Sequence, residues 1–357
     1  MLACLSLACL AIVWRGQVWL TALQPGTYYQ RHFLPDFFQE WASARNYFAG
    51  LPIYTSQEVT LPLYLGEQKA ADDTLFIKVN AHPPSSVLLA LPFGKLDYAE
   101  AFLLWNEITL ILFGASIWLV LRALEMDTSV RTGLVIFAFL LFCHPLWSQI
   151  QQGQLTIVVA FLVTLCWFLD RSDRPWLAGI ALGVATALKL FPGFLFLPLI
   201  LRGRWKAVFA GTASLVGVSA LTLAVLGLGT YRDYVCDVLP IMRTYLGMCH
   251  NLSPCGVWHK LLVPAAHWMP VDFTSGSPYP FAGSCGYVVT SGIIVSLVSL
   301  IVLRAKDDID LSFSASIVAM LLVSPITWDH YLLLLVLPIA LLWRRLPRSG
   351  IAWPMFL

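Results

Sequence analysis

The stretch AVFAGTASLVGVSALTLAVLGL, residues 207–228, runs for 22 residues without a charged side chain. About 20 apolar residues cross the hydrocarbon core of a bilayer as an α-helix. Eight further apolar runs are predicted to span a membrane: 2–23, 98–124, 132–147, 155–169, 176–190, 287–303, 311–323 and 331–343. Two shorter runs bounded by prolines, 83–96 and 193–201, are predicted to be half-helices or re-entrant segments.

The composition of the whole chain agrees with these runs. Of its 357 residues, 59% are hydrophobic and 12% are charged, whereas soluble domains have about a quarter of their residues charged. We therefore predict an all-α polytopic membrane protein, a single domain over residues 1–357 with about 9–11 membrane segments. The net charge of +2 and the lack of a basic stripe exclude a nucleic-acid partner.

Basic residues cluster in the short connectors between the predicted spans. The positive-inside rule places such clusters in the cytoplasm. Two long loops, 24–82 and 229–286, are then extracytoplasmic. This orientation requires that the two short runs do not each cross the membrane completely. Within the first loop, residues 37–49 are predicted to form an amphipathic helix along the membrane surface.

The second loop contains four of the eight cysteines, namely Cys236, Cys249, Cys255 and Cys285. In an oxidising compartment four such cysteines favour disulfides, with three possible connectivities. At the N-terminus no basic residue precedes the first apolar run. We therefore expect the true start of the protein to lie upstream, or to be misassigned.

Polar residues gather at the ends of spans that face the two long loops. They include His82, Gln154, Asn251 and the segment Trp328-Asp329-His330. Unpaired polar groups cost several kcal/mol in hydrocarbon. Their collection on one side predicts a single water-filled cavity that opens outward.

Three of the polar residues have a functional and a structural interpretation. Asp36 lies beside aromatic residues, where a desolvated carboxylate is a better base, but Asp is also a favoured helix N-cap. Lys189 near the end of an apolar span is a candidate for binding phosphate, or extends to the interface. His330 is a candidate ligand or a satisfied interfacial histidine.

Motifs of soluble nucleotide and metal chemistry are not found. The sequence has no Walker loop, dinucleotide glycine fingerprint, Cys-x-x-Cys pair or His-Glu-x-x-His. No Asp-x-Asp follows the first span, and only a weak one, Asp308 and Asp310, occurs in a predicted cytoplasmic connector. We therefore predict no cofactor and no metal.

The ordered motifs resemble a known family. They are Asp-Phe, Trp-Ala-Ser-Ala-Arg and Ala-Gly-Leu-Pro-Ile-Tyr within residues 36–54, His-Pro-Pro at 82–84, Gly-Gln at 153–154, Lys-Leu-Phe-Pro at 189–192, Arg-Trp at 204–205, Asn-Leu-Ser at 251–253, and Ser-Pro at 324–325 with Trp328 and His330. The chain thus resembles the GT-C membrane glycosyltransferases, most closely the family 87 polyprenyl-phosphate-mannose-dependent α-mannosyltransferases. The chain is shorter at both ends than such enzymes, so terminal spans are expected to be missing.

The resemblance implies a GT-C-like helical bundle and a reaction at the outer face of the plasma membrane. Asp36 matches the catalytic base, which activates an acceptor hydroxyl on a glycolipid or glycan for inverting attack on a lipid-linked sugar. Lys189, His330 and Arg45 are implied candidates for the donor phosphate. The candidates for sugar or acceptor binding are Gln154, Asn251, Trp328 and His82.

Two other classes of function remain open at this stage. A transporter or flippase of lipid-linked sugars predicts inverted repeats and broken helices in both halves, and only the two short runs support it. A sensor or assembly subunit without catalysis leaves the outward polar cluster unexplained.

Overall fold

The computed structural model describes residues 2–23, 35–66, 79–264 and 280–346, and the regular elements in those ranges are helical. The α-helices are α1 Leu2–Leu23, α2 Phe37–Ala49, α3 Gln57–Leu65, α4 Pro84–Ala90, α5 Tyr98–Ala123, α6 Val130–Leu140, α7 His144–Gln152, α8 Thr156–Arg171, α9 Pro175–Leu188, α10 Phe196–Leu201, α11 Trp205–Asp233, α12 Leu239–Met242, α13 Pro254–Leu262, α14 Phe281–Arg304, α15 Ile309–Val323 and α16 Val336–Arg345. Residues 24–34, 67–78 and 265–279 of the two predicted outer loops lie outside the described residues.

Within the described ranges, three helices are long and apolar enough to cross a membrane. They are α5, α11 with its continuation to Gly247, and α14. The pair α6 and α7 is a fourth candidate, bent by 71°. Shorter apolar helices, α9 and α15 among them, pack between these long ones. The predicted all-helical, polytopic membrane architecture is confirmed.

The span predicted over 132–147 is bent within its length. Helix α6 ends at Leu140, and α7 begins at His144 with Pro145 in its first turn. Proline lacks the N–H that would continue the helical ladder and is tolerated only in the first turn. The chain therefore bends here, which turns α7 and its glutamines toward the interior.

The two short proline-bounded runs are each divided into a short α-helix and a 3₁₀ turn. The first consists of α4 and Leu91–Lys95, and the second consists of Phe191–Leu195 and α10. Both fall below the length of a membrane-spanning helix. Their broken form agrees with the prediction from their prolines.

Helices α9 and α11 approach each other closely at glycines. A Cβ atom on Gly179 would lie 2.1 Å from the carbonyl oxygen of Ala207, and one on Gly183 would lie 2.2 Å from that of Gly211. Small residues let helix backbones pack tightly in membranes, where dispersion forces drive association. This contact fixes α9, and thereby Lys189 at its end.

Helix α2 has the predicted bounds, but its surroundings differ from the prediction. Nine of its 13 residues are buried, and Phe37, Phe38 and Trp41 pack against the aromatic residues at the start of α5. It is a core element instead of a helix exposed along the membrane surface. The burial holds the residue before it, Asp36, in the interior.

Helix α8 links two differently charged ends of the bundle. At its C-terminal end the buried carboxylate of Asp170 contacts Arg202 at 2.6 Å and Arg204 at 2.7 Å. Arg171 contacts Asp310 at 2.5 Å. These arginines belong to the clusters that are predicted to be cytoplasmic. With 1.5 Å of rise per residue, they lie about 20 Å from the N-terminal end of α8.

The expected disulfide in the second outer loop is wrong. All eight cysteines lie in the described ranges, and none of them is joined to another by a disulfide there. Cys255 is buried at the start of α13, whereas Cys236 and Cys285 are exposed on other elements. Cys249 lies in a turn, so the four cysteines of this loop are spread over separate segments.

Candidate active site

A cavity of about 390 Å³ lies at the N-terminal end of α8. Its polar lining includes Asp36, Gln39, His82, Gln154, Lys189 and Ser324. Its apolar and aromatic lining comes from neighbours of these residues and from later stretches: Ala81, Pro83, Leu190, Phe191, Tyr234, Leu239, Met242, Tyr245, Pro325, Ile326, Trp328 and Tyr331. The structure therefore brings together five residues predicted from sequence, namely Asp36, His82, Gln154, Lys189 and Trp328.

Asp36 occupies the N-cap position of α2 but does not cap the helix. Its backbone is already helical, and its side chain accepts no hydrogen bond from the first turn's N–H groups. One carboxylate oxygen instead accepts a hydrogen bond from Gln39 at 3.1 Å, and the other accepts one from Gln154. The structure thus excludes the capping interpretation and favours the functional one.

The electrostatic environment of Asp36 suits a base. Asp36 lies in the segment before α2, outside the helices that are long enough to span a membrane. Burial raises the pKa of its carboxyl group, while the charge on His82, the hydrogen bond from Gln154 and the charge on Lys189 oppose that rise. A carboxylate whose pKa is raised accepts a proton more readily than an ordinary aspartate.

Gln154 connects Asp36 to Lys189. Gly153 ends α7 in a left-handed conformation with φ of +61°, where a Cβ would lie 2.6 Å from that of Phe37. Only glycine fits there, so the chain places the next side chain directly beside Asp36. The Gln154 amide nitrogen donates to Asp36, and its oxygen accepts from the Lys189 ammonium at 3.3 Å.

Lys189 is held inside the protein. Helix α9 ends at Leu188, and Lys189 has an extended backbone with φ of −143°. Its side chain is only 4% exposed. The ammonium lies 3.4 Å from the Thr156 hydroxyl and 4.6 Å from the centre of the Tyr331 ring. The structure therefore excludes extension of the side chain to the interface, the structural alternative for this residue.

His82 has a partner that the sequence analysis missed. The Nδ1 atom of its ring lies 2.5 Å from a carboxylate oxygen of Glu40. Glu40 is buried in α2, four residues after Asp36. Residues four apart share one face of a helix. The four-residue spacing of Asp36 and Glu40 in the sequence therefore indicates a second carboxylate on the same side as Asp36.

Trp328 lies on the wall of the cavity, and His330 lies behind that wall. Trp328 lines the cavity, with its ring 6.3 Å from that of Tyr245 in an edge-on arrangement. His330 is buried, and its Nδ1 atom lies 3.3 Å from a carboxylate oxygen of Asp329. Its other ring nitrogen has no hydrogen-bond partner within the described residues. It does not line the cavity.

Asn251 and Arg45 make contacts within the protein instead of lining the cavity. The Asn251 amide donates to the carbonyl oxygens of Leu246 and Pro325 at 3.0 and 2.9 Å. Its oxygen accepts from the backbone N–H groups of Ser253 and Thr327, both at 3.0 Å. These four bonds use the whole hydrogen-bonding capacity of the amide.

Arg45 is held in an aromatic environment on α2. Its guanidinium group lies 4.9 Å from the Trp41 ring centre and 5.5 Å from that of Tyr64. It also donates a hydrogen bond to the carbonyl oxygen of Leu96 at 3.3 Å. The cation thus stabilises the packing between α2, α3 and the turn before α5.

Metal-binding geometry is not present in the described part of the chain. No group of three or more His, Cys, Asp and Glu side chains is close enough together there to hold an ion. The cation at the cavity is the ammonium group of Lys189.

Comparison with known protein families gives a match over a large part of the chain. The profile of glycosyltransferase family 87 matches residues 80–325, more than half of the chain. The chain belongs to glycosyltransferase family 87. The family 87 match contains His82, Gln154 and Lys189 and begins after Asp36.

Curated relatives of this family 87 chain carry descriptive names. A polyprenol-phosphate-mannose-dependent alpha-(1-2)-phosphatidylinositol mannoside mannosyltransferase from Mycobacterium tuberculosis is 29% identical over 146 residues, 37% of this chain and 34% of that protein. A polyprenol-phosphate-mannose-dependent alpha-(1-2)-phosphatidylinositol pentamannoside mannosyltransferase from Mycolicibacterium smegmatis is 25% identical over 259 residues, 70% of this chain and 57% of that protein. The family 87 chain thus spans less than two thirds of these relatives' length. No solved structure matches the chain at a significant level.

Proposed function

We propose that the protein is a membrane glycosyltransferase that moves a sugar from a polyprenyl-phosphate donor to a hydroxyl group of a glycolipid or glycan. The observation that carries the proposal is Asp36, a buried carboxylate that lines a cavity and does not cap its helix. Membership of family 87 supports the class of reaction. The names of the relatives support mannose as the sugar.

In the proposed reaction Asp36 is the general base. It takes the proton of the acceptor hydroxyl as the hydroxyl oxygen attacks the anomeric carbon of the donor. The bond from that carbon to the phosphate oxygen breaks in the same step, so a β-linked donor gives an α-linked product. General-base catalysis contributes about 10²–10⁴-fold to a rate, and burial of Asp36 supports it by raising the pKa of the carboxyl group.

Lys189 is the proposed partner of the donor phosphate. A buried ammonium stabilises the negative charge that grows on a departing phosphate more than an exposed one does, because water screens it less. The apolar lining at Phe191, Leu239 and Met242 matches the hydrocarbon of a polyprenyl chain. No metal or cofactor is part of the proposed mechanism.

The sugar is proposed to lie between Gln154 and Trp328. The Gln154 amide keeps one hydrogen and one lone pair after its bonds to Asp36 and Lys189, enough to hold one sugar hydroxyl. Trp328 offers a ring on the cavity wall for stacking against a pyranose. Asn251, Arg45 and His330 are proposed to support the walls, because their contacts are internal.

A transfer assay tests this function directly. Membranes with the wild-type protein receive labelled polyprenyl-phosphate-mannose and membrane glycolipid acceptors, and the labelled product is separated and quantified. Asp36→Asn keeps the size of the side chain and should reduce transfer by about 10²–10⁴-fold. The matched control is Asp237→Asn, an exposed aspartate outside the cavity.

The outcomes of this assay separate the candidate functions. Full transfer by Asp36→Asn would overturn the assignment of the base. An inverted anomeric centre in the product, measured by NMR, would support the single displacement, and a retained centre would refute it. No transfer by the wild-type protein from any lipid-phosphate sugar would instead favour a transporter.

The cavity is proposed to open on the extracytoplasmic face of the plasma membrane. The basic residues at the opposite end of α8 support this orientation through the positive-inside rule. A membrane-impermeant thiol reagent should label Cys236, which is exposed beside the cavity-lining Tyr234, in intact cells. Labelling only after permeabilisation would place the cavity on the cytoplasmic side.

A further inference from the structure

We infer that Glu40 and His82 form a carboxylate–imidazole pair in which His82 donates a proton to the departing donor phosphate and Glu40 positions and charges the imidazole ring. The inference rests on the proposed transfer reaction and deepens it. It adds one catalytic residue, His82, and one positioning residue, Glu40.

The orientation of the His82 ring is the first argument. Its Nδ1 atom faces Glu40 at 2.5 Å, and its Nε2 atom has no protein partner within the described residues. The ring lines the cavity that contains Asp36, and the side chain is 15% exposed. Because the two nitrogens lie on opposite sides of the ring, the bond to Glu40 leaves Nε2 for a ligand.

The second argument is that the surroundings fix this pair in place. Glu40 is 3% exposed, and its second oxygen accepts hydrogen bonds from Asn80 at 3.3 Å and Ser86 at 3.1 Å. The His82 backbone N–H donates to the Asn80 side chain at 2.9 Å, and the Tyr54 hydroxyl donates to the His82 carbonyl oxygen at 2.8 Å. Hydrogen bonds to both of its oxygens hold the Glu40 carboxylate, and with it the His82 ring, in this orientation.

The charges around the pair are the third argument. The titratable groups that face it from other segments are Asp36, Tyr54, Lys189 and His330. Asp36 is positioned to take the proton of the acceptor. A phosphate at the cavity would meet two cationic groups, the Lys189 ammonium and a protonated His82. The pair therefore adds a proton donor to a site whose other cation only neutralises charge.

The proposed step balances in protons and electrons. The acceptor oxygen forms a bond to the anomeric carbon and gives its proton to Asp36. The electron pair of the broken carbon–oxygen bond stays on the phosphate oxygen, which takes the proton from Nε2 of His82. The second ionisation of a phosphate monoester has a pKa of about 6, close to the ordinary value of about 6.5 for an imidazole, so a proton can pass from one to the other. Transfer of the proton from Asp36 to His82 through water restores both groups.

The test measures kcat/KM against pH with labelled polyprenyl-phosphate-mannose. In Glu40→Gln the side chain keeps an oxygen for His82 but loses its charge. We expect kcat/KM to fall about tenfold, less than the usual 10²–10⁴-fold for a group that itself transfers the proton. The alkaline limb of the pH profile should move to lower pH. Glu58→Gln, a change at an exposed carboxylate on α3, is the matched control and should leave the profile unchanged.

A second variant keeps the test decisive if Glu40→Gln folds poorly. In His82→Asn the amide nitrogen takes the place of Nδ1 and still donates to Glu40, but nothing replaces Nε2. We expect a loss on the order of 10²-fold and no alkaline limb, with an unchanged melting temperature. His82→Gln, whose amide can donate a hydrogen bond but cannot release a proton, should also lose the alkaline limb.

The possible results are distinct. If the wild-type protein transfers sugar and the alkaline limb is shifted in Glu40→Gln and lost in His82→Asn, the proposed role of the pair is supported. If the wild-type protein transfers sugar and both variants fold but keep the wild-type alkaline limb, the proposed role of the pair is refuted. The proposed function is then left intact. An absence of wild-type transfer refutes the proposed function itself.

Discussion

Replacing Gln154 with leucine removes the amide that joins Asp36 to Lys189 while keeping a side chain of similar size. The amide donates to a buried carboxylate and accepts from a buried ammonium at 3.3 Å. A hydrogen bond to a charged group contributes about 1.5–3 kcal/mol. Loss of the bond that orients Asp36 should therefore reduce kcat/KM at neutral pH by about 10- to 100-fold.

The pH dependence of this variant has a defined sign. The hydrogen bond from Gln154 lowers the pKa of Asp36 against the stronger effect of burial, which raises it. Without that bond the pKa of Asp36 rises further. The base works only when it is deprotonated, so the acidic limb of the kcat/KM profile should move to higher pH.

The assay is the sugar transfer described above, measured from acidic to neutral pH on purified protein in lipid. Gln152→Leu is the matched control. Gln152 is the last residue of α7, two positions before Gln154, and it does not line the cavity. Its buried side-chain oxygen has no hydrogen-bond partner in the described part of the chain. If Gln154→Leu kept the wild-type rate and acidic limb, the reasoning that makes Asp36 a tuned base would be refuted.

Two further predictions concern the scaffold. Gly179→Ala should lower the free energy of unfolding by about 1–3 kcal/mol, because its Cβ would meet backbone 2.1 Å away. Gly217→Ala on α11 is the control and should not destabilise the protein, because the added atom meets nothing within 4 Å. Equal melting temperatures for the two variants would contradict the packing argument. Asp170→Asn leaves two arginines without a buried counter-charge and should cost about 3–5 kcal/mol. Asp173→Asn, at a side chain 87% exposed, is its control, and comparable denaturation midpoints would argue against the buried ion pair.

The sequence alone predicts much of the helical architecture, because long apolar runs carry a strong signal. Helix α2 has the predicted bounds. Gly50 follows it in a left-handed conformation with φ of +68°, which ends the helix. Its burial was missed. The aromatic face that suits an interface also suits the core formed with α5, and the local pattern does not distinguish them.

The polar residues show a similar limit. Asp36, Gln154 and Lys189 were identified by their types and positions, and they do meet at one cavity. Asn251 was predicted as a sugar ligand, yet its amide is used by backbone groups up to 76 residues away. Glu40 shares a helix face with Asp36, a local signal, but its contact with His82, 42 residues away, is one that no local pattern encodes.

The charged lining of the cavity precedes α11, whereas its apolar lining comes from both sides of that helix. Asp36, His82 and Lys189 lie before α11 together with Leu190 and Phe191, and Leu239, Met242 and the segment around Trp328 follow it. Substitutions in the later stretches can therefore reshape the volume offered to a substrate and leave the reacting groups untouched. Exchanging residues 234–245 between relatives would therefore change the shape of the cavity while keeping Asp36 and Lys189 in place.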